Sequence, residues 1–239
     1  MNAQEAVTDR ASPARITSFD ELCARASTLA RQEGRRLLGI AGPPGAGKST
    51  LAEAIVAYTG ETARLVGMDG FHLAQARLAE LGRLDRKGAI DTFDADGFLV
   101  LLQRLRTAGS GTIYAPEFRR ELEESIAGAR AIEPEVRLVV VEGNYLLVSN
   151  PPWGQLRELL DEVWYCERDE AARISDLIAR HQLYGKSEDE ARRWVLGPDQ
   201  DNAVLIATTR SRADCIVRLD AALPDPPRAP SKVATTADR

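Results

Sequence analysis

The segment "LLGIAGPPGAGKSTLAEAI", residues 37–55, constrains this chain more than any other stretch. An apolar run ends at Gly42, a glycine-rich turn follows, and helix-forming residues begin at Lys48. Residues Gly42, Pro43, Pro44, Gly45, Ala46, Gly47, Lys48 and Ser49 fit the pattern G-x-x-x-x-G-K-[ST], with Thr50 directly behind. Glycines let successive backbone N–H groups turn inward as an anion nest. Lys48 then reaches the β- and γ-phosphates of a nucleotide, and the Ser49 hydroxyl is a ligand for Mg²⁺. The helix behind the turn directs its positive end at the same phosphates. A chance match would lack the context of a strand before and a helix after, and both are expected here. Nucleoside triphosphate binding follows, but not yet the reaction.

The strand-and-helix order extends along the chain. Apolar residues at helical spacing over 18–33 predict a helix with Ser18 at its N-cap. Short strands are expected at "RRLLGIAG", "ARLVGMDG" (63–70), "VRLVVVEG" (136–143), the end of "LRELLDEVWYCE" and "ADCIVRLD" (213–220). The run 136–143 is continuously apolar, as in a strand covered on both faces. "DADGFLVLLQRLRTAG" (94–109) predicts a helix capped by Asp94, and two or three helices fill 169–209 with breaks near Gly185 and Gly197–Pro198. This alternation predicts an α/β fold with a doubly wound, mainly parallel, five-stranded sheet and a helical lid. Ligands in such folds bind at the carboxyl ends of the strands. The expected organisation is a flexible N-terminus (1–17), one domain (18–221) and a disordered Pro-rich tail (222–239). Within the domain, 71–125 is an insertion for a second substrate and 168–197 a lid.

Composition narrows the function classes. The net charge is −5 with 44% hydrophobic and 28% charged residues. That acidic balance argues against a nonspecific nucleic-acid binder. No apolar stretch has the ~20 residues of a membrane span. Cys23, Cys166 and Cys215 are too few and too widely spaced for a metal or disulfide framework, and are expected as reduced thiols in a cytoplasmic protein.

Three further sites carry candidate chemistry. Asp69, ending the second strand in "VGMDGFH", is placed at the carboxyl edge beside the phosphate turn. It can accept a proton from an attacking hydroxyl or hold Mg²⁺ through water, or serve only as a cap or turn residue. Glu142 ends the most apolar strand, where a Mg²⁺-associated carboxylate belongs; a solvated strand end is the plain alternative. Arg173 and Arg180, seven residues apart, share one face of a helix. They can stabilise charge on a moving phosphoryl group, or simply face solvent.

Taken together, "GPPGAGKST", "MDGFH", "KGAIDTFDADGF", "VVVEGNYLL" and "LIARHQLYGK" resemble the phosphoribulokinase/uridine kinase/pantothenate kinase family, over about residues 20–220. The likeness extends to a bacterial branch labelled nucleoside triphosphate hydrolase domain protein or fructose-transport-system kinase. The resemblance implies an ATP-dependent kinase acting on an alcohol of a small metabolite, with Mg²⁺, and with Asp69 as base. It implies lid roles for Arg173 and Arg180. It places acceptor contacts at His72, Lys87, Thr92, Phe93 and Asp94, at Tyr114, Phe118 and Arg120, and at Tyr145. Core packing explains Phe93, Tyr114 and Phe118 equally well. Arg119 stands where the family pattern has an aspartate. Asn202 and Asp214 are candidates to flank the adenine, or a cap and a turn residue. Dimers are common among such relatives, so a homodimer is an open expectation.

Competing classes give distinct signals. A GTPase needs a guanine-reading [NT]-K-x-D segment, which the chain lacks. A P-loop ATPase with a regulatory or chaperone role and no small acceptor stays open, and the 71–125 insertion weighs against it.

Overall fold

A computed structural model describes residues 13–107 and 109–218. Eight strands occur among them: β1 (Ala14–Ile16), β2 (Arg36–Ala41), β3 (Ala63–Gly67), β4 (Ile113–Arg119), β5 (Glu124–Ile132), β6 (Leu138–Glu142), β7 (Glu162–Cys166) and β8 (Cys215–Val217). The helices are α1 (Phe19–Ala30), α2 (Lys48–Thr59), α3 (Gln75–Glu80), α4 (Ala95–Arg106), α5 (Leu156–Leu159), α6 (Glu170–Leu183), α7 (Glu188–Trp194) and α8 (Gln200–Ala207). A π-helical turn, Val195–Asp199, contains Pro198 and joins α7 to α8.

Six strands form one parallel sheet in the order β1-β8-β7-β2-β6-β3. The sixth is β1, so the expected count of five is corrected. Ala14–Ile16 pair with Cys215–Val217 inside the segment expected to be flexible. Residues 1–12 and the expected disordered tail, 222–239, lie outside the described residues. β4 and β5 form a separate antiparallel hairpin, whose second strand runs on to Ile132, past the expected end of the insertion at 125.

Alternation places the two faces of the sheet in two cores. Leu37, Val139, Val141 and Val163 pack with Phe98, Leu102 and Leu105 of α4 and Ile206 of α8. Leu38, Ile40, Val140 and Trp164 pack with Leu22 and Ala26 of α1 and Leu51 and Ile55 of α2. With both faces covered, the strands read as continuous apolar runs. Each fully buried Leu or Val contributes roughly 1.5–3 kcal/mol, so these layers fix the register of the strand ends. The carboxyl ends of β2, β3 and β6 therefore deliver the phosphate turn, Asp69 and Glu142 to one edge.

Candidate active site

The turn between β2 and α2 closes as its sequence demands. Gly47 occupies the left-handed region at φ 86 and opens α2, a conformation that costs an L-residue with a Cβ about 1 kcal/mol or more. The Ala46 N–H donates to the Pro43 carbonyl at 3.1 Å. Lys48 is buried; its Nζ donates to the same Pro43 carbonyl at 3.0 Å and lies 3.8 Å from Glu142 Oε1.

A cleft of about 330 Å³ opens in front of this turn. Lys48, Ser49, Asp69, Glu142 and Arg180 line its phosphate end, and His72, Lys87, Phe118 and Arg120 its other wall. Asp69 and Lys48 thus share one cavity. Arg120 Nη2 lies 3.5 Å from Asp69 Oδ2, and His72 Nδ1 is 2.8 Å from the Asp69 carbonyl. Since that carbonyl only accepts, Nδ1 carries the proton in this bond. The His72 ring makes tilted contacts with Phe93 (4.1 Å between centroids) and Phe118 (4.8 Å).

Burial and neighbouring charge set the ionisation of these groups. Burial pushes the Glu142 carboxyl up to about 7, although Lys48 pulls it down. Burial also pushes the Lys48 ammonium below its ordinary value, against Glu142 and Asp69. Asp69 goes the other way. Burial favours its neutral form, but electrostatic interaction with His72 and Arg120 foremost, and then with Lys48 and Arg180, outweighs burial and holds it below the usual carboxylate range. Burial holds His72 below its ordinary value, with Asp69 opposing.

Ser49 and Glu142 offer hard oxygen donors at the phosphate end. Among the described residues no group of three His, Cys, Asp or Glu side chains gathers into a metal cage. That donor set fits Mg²⁺, which takes one or two protein oxygens and completes its shell with water and phosphate oxygens.

Other expected site residues lie elsewhere. Arg173 is buried on α6, where Nη1 donates to the Pro44 carbonyl at 3.2 Å and Nη2 to Gln200 Oε1 at 2.5 Å. It braces the turn from behind instead of facing the cleft. Asp94 caps α4 through the Gly97 N–H at 2.9 Å and lines a separate surface groove. Tyr114 is exposed on β4 and lies outside the cleft. Tyr145 is fully buried, its ring against Trp153 and Phe93 and its hydroxyl bonded to Gly88 and Asn202. Asp214 is a structural carboxylate that receives Arg157 and the Val163 N–H, each at 2.7 Å. Asn202 lines the cleft against the Gly88 loop.

The sequence left several cleft residues unassigned. Asn144 lines it two positions after Glu142, and adjacency to that strand end was the available signal. Glu123 sits at the hairpin turn with φ 53. Lys186 and Trp194 form part of the outer wall, the ammonium 5.1 Å from the indole centroid. Both fall in the expected lid, 168–197, but neither residue type by itself points to the cleft.

No protein-family model matches the chain. A Schizosaccharomyces pombe protein named "putative uridine kinase" is 35% identical over 218 residues, spanning 85% of this chain and 91% of its own length. The crystal structure of a "putative fructose transport system kinase" from Silicibacter sp. TM1040 superposes with a TM-score of 0.76 at 35% identity, covering 85% of this chain and all of that one. A pantothenate kinase from Leifsonia xyli is 26% identical over 215 residues, 77% of this chain and 66% of its own. With the phosphate turn, the strand-end carboxylates and the lid arginine in one cleft, and relatives of this extent, the chain belongs to the uridine kinase/pantothenate kinase family of P-loop kinases and is an ATP-dependent small-molecule kinase.

Proposed function

We propose that the protein transfers the γ-phosphoryl group of ATP to a hydroxyl of a sugar, a nucleoside or a pantothenate-like alcohol, with Asp69 as the base. The observation that supports this most directly is that Asp69 and Lys48 line one cleft while a second wall, His72, Lys87, Phe118 and Arg120, stands beyond Asp69 with room for an acceptor.

Each group has a distinct task. Backbone N–H groups of the turn and the Lys48 ammonium hold the β- and γ-phosphates. Ser49 and Glu142 are the residues that would hold Mg²⁺, whose charge, when bound, offsets that of the phosphate oxygens. Asp69, ionised at neutral pH through its cationic neighbours, orients the acceptor hydroxyl and accepts its proton. Arg120, 3.5 Å from that carboxylate, keeps it aimed into the cleft. Arg180, on the lid helix, lines both the cleft and the recess beside the turn, and stabilises charge as the group moves. The lid excludes water, so that the alcohol and not water takes the phosphoryl group.

The test is ATP consumption against a panel of sugars, nucleosides and vitamin alcohols, read by phosphorylated product. Stimulation by one class with a matching product is the expected result. Steady basal hydrolysis that none of them stimulates would overturn the transferase reading in favour of a regulatory ATPase.

A further inference from the structure

The buried hydroxyl of Tyr145 lies at the meeting point of three distant segments. It is 2.7 Å from the Gly88 carbonyl and 2.9 Å from Asn202 Oδ1, and Asn202 Nδ2 donates to the same Gly88 carbonyl at 3.2 Å. The single phenolic proton serves one of two oxygens at a time, while the asparagine N–H holds the carbonyl from its other side. Tyr145 stands three residues after Glu142, Gly88 belongs to the insertion, and Asn202 belongs to α8. The segment that follows β6, the Gly88 loop and α8 are therefore joined at one point.

The joined loop is a wall of the cleft. Lys87, Gly88 and Asn202 all line it. Gly88 adopts φ 100, a backbone state open chiefly to glycine. Fully buried Thr92 closes the same loop, accepting from the Gly88 N–H at 3.0 Å and donating to the Ala89 carbonyl at 2.7 Å. Both polar groups of Gly88 are thus held by side chains, not by a strand ladder. Burial keeps the Tyr145 phenol well above its ordinary value, so it remains a donor throughout the working pH range.

We infer that Tyr145 is a positioning residue for acceptor binding: its hydroxyl fixes the Lys87–Gly88 wall at a set distance from the phosphate end, without touching either substrate. This rests on the proposed transferase activity for its kinetic consequence, and on geometry alone for its structural one. Misplacing a reacting group by about 1 Å can lower a rate 10²-fold, so a loosened wall should act on the acceptor and leave ATP alone.

Tyr145→Phe removes only the hydroxyl and keeps the ring between Phe93 and Trp153. Thr92→Val loosens the same loop from its other end. Ile206→Val, in the same hydrophobic core as Tyr145, costs comparable stability, about 1 kcal/mol, and is the control. Amide hydrogen exchange over residues 86–93 should quicken about tenfold in the first two variants, with the 42–49 turn unchanged, and neither change should occur in the control. With the acceptor from the panel that gives most product, kcat/KM for that acceptor should fall about tenfold in both variants, while KM for ATP stays within about twofold. Unchanged exchange over 86–93 in Tyr145→Phe would overturn the inference whatever the kinetics. So would faster exchange with acceptor kinetics intact, or an equal loss in Ile206→Val. A panel that yields no product in the wild-type protein counts against the proposed function, and the exchange experiment then decides the role of Tyr145 by itself.

Discussion

Lys48 Nζ lies 3.8 Å from Glu142 Oε1, and both side chains are almost wholly buried. Two opposite charges in such a place stabilise each other less than isolation from water costs them, unless further hydrogen bonds help. Lys48 has one such bond, to the Pro43 carbonyl. The pair therefore adds little to stability, in keeping with the roles proposed for it in holding polyphosphate and cation.

A pH dependence follows from the raised Glu142. Its folded value, about 7, exceeds its ordinary 4.5. The stabilising contribution of the neutral carboxyl is fully present below 4.5 and is lost as pH rises through 7. Glu142→Gln cannot titrate. Its stability relative to wild type should therefore improve between pH 4.5 and 7, by roughly 3 kcal/mol at most. Denaturant unfolding at pH 5 and pH 8, without Mg²⁺ or nucleotide, checks this. A stability gap independent of pH would contradict it.

Asp69→Asn should keep ATP affinity within about threefold and lower acceptor turnover by roughly 10²–10⁴-fold, the usual range for a positioned base. Isothermal titration with ATP and a product assay separate the two effects. Turnover of the acceptor at the wild-type rate would remove Asp69 from the base role.

Arg173 predicts a different profile from Arg180. Its two bonds run to the Pro44 carbonyl and Gln200, behind the phosphate turn. Arg173→Met leaves the buried Pro44 carbonyl without this donor and frees the half-buried Gln200 amide, and an unsatisfied buried group costs about 1–3 kcal/mol. The melting temperature should drop and ATP affinity weaken about tenfold. Arg180→Met should leave melting nearly unchanged and lower turnover. Equal behaviour of the two variants in both assays would refute the division of roles.

The Gly70 of "MDGFH" meets the hairpin at close range. A Cβ there would lie 2.6 Å from the Pro116 carbonyl oxygen, whereas one at Gly67 would meet nothing within 4 Å. Gly70→Ala should cost about 1–3 kcal/mol and reduce acceptor turnover, and Gly67→Ala should alter stability by less than about 1 kcal/mol. Thermal unfolding of the two variants side by side is the measurement.

Residues 37–55 and 136–143 were legible because one physical cause acts on each. A phosphate turn needs its glycines, and a strand covered on both faces needs an unbroken apolar run. Three-residue β1 was not legible: only Ile16 reaches the core, and a period of two has no room to show itself. The hairpin was hidden for another reason. Most of β5 is exposed, and ladder bonds together with the Glu117–Arg130 ion pair hold it to β4. Asp69 and Glu142 were readable from where their strands end. Asp94, Tyr114 and Tyr145 were not separable from acceptor residues by type alone. A capping aspartate, an exposed ring and a buried phenol look alike in sequence, and differ only in what lies opposite. Arg173 shows the same limit: helical spacing put it on the face with Arg180, but not behind the turn that it braces.

The β4–β5 hairpin shares no ladder with the six-stranded sheet, yet it brings Phe118 and Arg120 to the cleft. Its charge and length can change without altering the register of any strand that carries the nucleotide machinery. A lineage using this scaffold can exchange one appendage and acquire a new alcohol as its client, while the donor half of the enzyme stays as it is.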